Sequence, residues 1–227
     1  GVTAEGTENY AEAARLRLEL LAKSPADAAT NEAAARAVRR RGDSRFAVQA
    51  YADALADYTQ SRTLFNAAIA AGGAAASDVQ RMQDGLAGIT IAVGDAKFAL
   101  ARRETDAAKS GELMAEGQKE LDAAAAYWEA RVKASPDDAR ALRALGICMD
   151  KGAIWKSDLG RAQKSAGEKL LAAGKADDGA AKIGLAIGYF EEAEGRAREA
   201  LAMFTALGGK NRDNAELKRD LFLAHHN

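Results

Sequence analysis

Gly42-Asp43-Ser44-Arg45-Phe46-Ala47 returns further along the chain as Gly94-Asp95-Ala96-Lys97-Phe98-Ala99, and more faintly around Lys151-Gly152-Ala153-Ile154-Trp155. A second marker, Ser24-Pro25-Ala26-Asp27-Ala28, comes back as Ser135-Pro136-Asp137-Asp138-Ala139. The second recurrence is two units away if one unit is about 50 to 55 residues, the long end of the periods that signal stacked repeats. The chain therefore reads as an internal repeat.

Between the markers the local chemistry favours helix. Alanine dominates, aromatic residues are 6% of the chain, β-branched residues are scarce, and the prolines are Pro25 and Pro136, so intrinsic propensity favours helix nearly throughout. Apolar residues at helical spacing predict helices over about 7–23, 28–47, 51–71, 77–109, 112–133, 137–173 and 177–207, with a final stub from Asp213 or Asn214. Pro25 and Pro136 close the first and fifth, while Gly72-Gly73, Ser110-Gly111, Gly174 and Gly208-Gly209 supply the other breaks. Ser77 is expected to cap the fourth. Links of two to six residues leave each helix no choice but to fold back on its predecessor. The expected fold is all-α: an antiparallel helix-hairpin array of about eight helices with elongated even-numbered helices. Its units would be about 26–73, 77–134 and 137–209 with a partial unit at 213–227, forming one helical-repeat domain over 1–227, a fragment of a longer array.

Gly42-Asp43, followed by Ala54-Leu55-Ala56-Asp57-Tyr58 and Ser61, resembles a tetratricopeptide repeat over residues 35–73: a small residue at a helix crossing, an aromatic wedge, another small residue. Gly117, Leu121, Ala124 and Pro136 in the second unit look like the same positions, as do Gly167, Leu170, Gly179, Ile183 and Ala186 in the third. Asp213 to Leu221 resembles the opening of another repeat. The period exceeds the family's usual length of about 34 residues, so the chain is similar to the long-period arrays of large bacterial multidomain proteins. The resemblance implies a superhelical protein-interaction scaffold in which the first helix of each pair lines a concave groove.

The balance of 32 basic and 33 acidic residues lacks the uncompensated positive charge of a general nucleic-acid binder. No apolar run is long enough for a membrane span and no signal-peptide pattern opens the chain, so neither nucleic acid nor membrane is an expected partner and the expected location is cytoplasmic. Cys148 sits in the apolar run Leu145 to Met149 and reads as a small buried hydrophobe. His225 and His226 are neighbours that point about 100° apart on a helix, a poor chelating pair. With no nucleophile elbow, paired-cysteine motif or phosphate loop, the chain is expected to be no enzyme, with no cofactor and no metal. Gly184 and Gly188 read as helix-packing positions.

One cluster stands out: Arg36, Arg39, Arg40, Arg41 and Arg45. Helical spacing puts Arg36, Arg39 and Arg40 on one side, and the family resemblance turns Arg36 and Arg39 towards the groove. A solvated face is the plainer reading; the sharper one takes Arg36, Arg39, Arg40 and Arg45 as a peptide- or anion-binding stretch. The expected function is a non-enzymatic scaffold for a protein or peptide segment, acidic in character, or for neighbouring domains of the parent chain. The alternative is a closed α-bundle around a small apolar ligand.

Overall fold

A computed structural model describes residues 4–210 and Asp220. Helix takes 88% of the described residues and none is in a strand. The described residues between 4 and 210 form seven helices: α1 (Ala4–Lys23), α2 (Ala28–Ala47), α3 (Tyr51–Ala70), α4 (Ala76–Ala101), α5 (Ala107–Ala134), α6 (Ala139–Ala172) and α7 (Ala176–Lys210). The predicted stub from residue 213, and His225 and His226 with it, lies outside the described residues except for Asp220, which accepts a bond from Arg143 Nε at 2.6 Å. Among the described residues no helix is long and apolar enough to cross a membrane.

Aspartates cap the starts of α2, α5 and α6. Asp27 Oδ2 accepts from Thr30 N at 2.7 Å, and Asp138 Oδ1 accepts from Arg140 N and Ala141 N at 3.0 and 3.1 Å, satisfying first-turn donors that the helix itself cannot. The same device explains a misplaced break. α4 ends at Ala101 rather than Lys109 because Asp106 Oδ1 takes Ala108 N and Lys109 N, opening α5 before Ser110-Gly111 is reached. Ser110 Oγ then donates to the carbonyl of Ala101 at the end of α4 at 2.8 Å, and Gly111 lies inside α5. Ser77 is likewise inside α4, whose N-cap is Ala75. The α2–α3 turn carries Gln49 in the left-handed region at φ 65°, and Arg103 Nη1 donates to its carbonyl at 3.2 Å.

The chain divides into two compact units, 1–124 and 125–227, with the boundary inside α5. In the first, α1 packs on α2, α2 on α3 and α3 on α4. Its core is Ala35, Ala54, Tyr58, Phe65, Met82, Ile89 and Val93. Large residues enter where glycine removes a side chain: a Cβ on Gly42 would come within 2.7 Å of the Tyr58 ring, and one on Gly85 within 2.8 Å of Phe65.

The second unit is built on the α6–α7 hairpin. Gly146 receives Phe204, Gly160 receives Phe190 and Gly167 receives Ile183, so contacts climb α6 in multiples of seven while descending α7. This is the register of antiparallel helices with a seven-residue seam. Cys148 is fully buried in α6. Helix length does not follow the expected even-numbered pattern: α4 and α6 have 26 and 34 residues, but α5 and α7 have 28 and 35. A long helix in a hairpin needs an equally long neighbour to cover its apolar stripe. Gly184 and Gly188, read as packing positions, have nothing within 4 Å of an added Cβ among the described residues.

At Gly167 a Cβ would meet the Gly179 carbonyl oxygen at 2.9 Å, whereas at Gly111 it would meet nothing. Gly167→Ala should therefore cost roughly 1–3 kcal/mol by overpacking against backbone, and Gly111→Ala should add roughly 0.5–1 kcal/mol through helix propensity. Urea unfolding of the two variants checks the opposite signs.

Candidate functional site

The arginines of α2 fan out around the helix and meet three different neighbours. Arg41 and Arg45 turn to α3, where Asp57 takes Arg41 Nη2 at 2.6 Å and Arg45 Nη1 at 2.9 Å with its own side chain only 3% exposed. Arg39 turns to α4: its Nη1 would lie 2.9 Å from a Cβ on Gly88, and its Nε stands 3.8 Å from Asp43 Oδ2. Arg36 and Arg40 face α1. The four expected site residues are thus divided among three surroundings, because one helix turn separates Arg36 from Arg40 while Arg39 and Arg45 point elsewhere on the same cylinder.

Arg36 is also half of a clamp. Glu32, with a side chain 9% exposed, accepts Arg36 Nε and Nη2 at 2.9 and 2.7 Å and, from α4, Arg81 Nε and Nη2 at 3.0 and 2.8 Å. Hydrogen bonds from Arg81 and then Arg36 outweigh burial and hold the Glu32 carboxyl below its ordinary value. Arg81 is balanced in turn by Asp78, which accepts its Nη1 at 2.7 Å, and Arg36 Nη1 is not used in the knot.

Between α1 and α2 lies a groove of about 420 Å³. Ala13, Ala33 and Ala37 contribute only methyl groups to it, and Tyr10 and Arg17 from α1 face Arg36 and Arg40 from α2. Among the described residues neither Arg17 nor Arg40 has a carboxylate partner. Arg17 and Tyr10 were not among the expected site residues because no run of charge marks them. Their spacing, with Ala13, at i, i+3 and i+7 on one face of α1 was the available signal.

A second cavity of about 360 Å³ is lined by Asp27, Glu32, Asp78 and Arg81 beside the Gly72-Gly73 turn. Its charged groups are all engaged: Asp27 caps α2, and Arg81 bonds both Asp78 and Glu32. No cluster of His, Cys, Asp and Glu among the described residues has the makings of a metal site. No family model, no curated protein and no solved structure matches the chain, so the groove is read from its own chemistry.

The Glu32 clamp has a pH signature. Because its carboxyl is lowered in the fold, its contribution is complete above the ordinary value of 4.5 and is lost as the pH falls through the lower folded value. Glu32→Gln should destabilise the protein near neutrality, and the difference from the parent should shrink as the pH drops from about 6 to about 2.5, followed by chemical denaturation at each pH.

Proposed function

We propose that the chain is a non-enzymatic scaffold of the tetratricopeptide-like kind that holds an acidic protein or peptide segment in the α1–α2 groove. The observation that carries the reading is the contrast in charge matching. Glu32, Asp57 and Asp78 are each satisfied by arginine, whereas the groove gathers Arg17 and Arg40 without a carboxylate of their own among the described residues. Guanidinium groups without a partner retain all their donors for an incoming carboxylate, and charge-assisted bonds of that kind are the strong ones.

The hairpin packing of α1 through α4 and the ring-into-glycine contact of Tyr58 on Gly42 fit the repeat architecture that the sequence resembles. A bundle closed around a small apolar ligand has less support, since both cavities described above are lined by charged side chains. The near-neutral total charge of 32 basic against 33 acidic residues argues for a local, segment-sized partner over a nucleic acid.

Fluorescence polarisation against acidic, neutral and basic peptides tests the proposal. The acidic peptides should bind best, and binding should weaken with salt because exposed charges are screened over about 8 Å at physiological ionic strength. Arg17→Glu with Arg40→Glu should remove the acidic preference while moving stability by less than about 1 kcal/mol, since both residues are exposed. Arg39→Glu, on the α4 side, should leave the preference in place. An unchanged preference in the double variant would sink the assignment.

A further inference from the structure

We infer that the segment held in the α1–α2 groove is itself an α-helix, one with a small-residue face and carboxylates along both flanks; this rests on the acidic-segment reading above. The groove's polar lining is almost entirely donors. Arg17, Arg36 and Arg40 can only donate, and the side-chain acceptors available are Asn9 Oδ1 and the Tyr10 hydroxyl. An extended peptide would bring a row of backbone N–H groups into a channel with hardly an acceptor to meet them, and unpaired donors next to alanine methyls are costly. A helix pairs its own backbone and presents only side chains.

The dimensions point the same way. Tyr10 to Arg17 on one side and Ala33 to Arg40 on the other each span eight residues, roughly 10 Å of helix axis, which matches about two turns of an occupant. Alanines at 13, 33 and 37 let a third helix come down to an ordinary interaxial spacing of about 8–10 Å if it is small there too. The protein packs its own helices in this way, with α4 touching both members of the α2–α3 pair.

Arg36 and Arg40, one turn apart, call for carboxylates three or four residues apart on one flank of the guest, and Arg17 calls for one on the other flank. Arg40 and Arg17 supply the main contacts, and Arg36 adds the donor that its bonds to Glu32 leave over.

Calorimetric titration of the whole protein with two acidic peptides of identical composition tests this. One carries alanines on one face and glutamates on both flanks in helical register; the other has its central residue exchanged with a proline from its end. The helical peptide should bind at least about tenfold tighter, because an internal proline breaks the helix. It should also gain helical circular dichroism on binding, and Arg17→Glu with Arg40→Glu should abolish both effects. Equal affinity of the two peptides would overturn the helical guest while leaving the acidic-segment function standing. Failure of both peptides to bind more tightly than a basic control would take down the function and this inference together. If sedimentation instead shows a dimer that the double variant dissociates, the groove is occupied by a second copy, and the separate partner is ruled out.

Discussion

Everything in this protein depends on bringing alanine-rich helices close together. With aromatics at 6% of the chain, few side chains bring the 150–250 Å² or so that a buried ring contributes, so the core has to be assembled from short-range contact between backbones and methyl groups. Glycine makes the approach possible and a ring then fills the notch, as Tyr58 does at Gly42 and Phe204 at Gly146. The Tyr58 hydroxyl, pushed above its usual value first by burial and then by the charge of Asp43, stays protonated and donates to Asp43 Oδ1 at 3.0 Å. The wedge is thereby hydrogen-bonded to the residue next to its notch.

Such a core leaves polar groups near the helix interfaces, and the first unit manages them by a recurring arrangement: one shielded carboxylate shared by two cations. Glu32 takes Arg36 and Arg81, Asp57 takes Arg41 and Arg45, and Glu120 takes Arg62 at 2.8 Å and Lys97 at 3.2 Å. Each carboxylate ties its own helix to a neighbour. Removing one partner from such a knot is far more damaging than its net contribution suggests, because the group left behind stays shielded from water. Most of the arginine in α2 is therefore structural, and the groove takes its character from the remainder.

Much of the helical pattern was legible in the sequence because it is local. Helical spacing and the two prolines placed α2 and the end of α5 to within a residue, and the Gly42 and Gly94 markers do fall at helix contacts. The α4–α5 break was missed because Ser110-Gly111 looks like the stronger stop. A helical glycine costs only about 1 kcal/mol, however, and the cap at Asp106 with the Ser110 bond to Ala101 outweighs it. The fate of the arginines was illegible for a different reason. Which of Arg36, Arg39, Arg40, Arg41 and Arg45 meets a carboxylate depends on how α2 is rotated against α1, α3 and α4, and sequence spacing fixes only their angles relative to one another.

The buried Cys148 gives the second unit a reporter that the first lacks, since the chain has no other cysteine. A thiol reagent can reach that sulfur only when α6 separates from its surroundings, so under conditions where reclosing outruns reaction the labelling rate measures the opening equilibrium around α6. Set beside a global melt, that rate distinguishes two units that unfold as one from two that open independently. A single atom thus turns the cooperativity of the whole chain into a chemical rate.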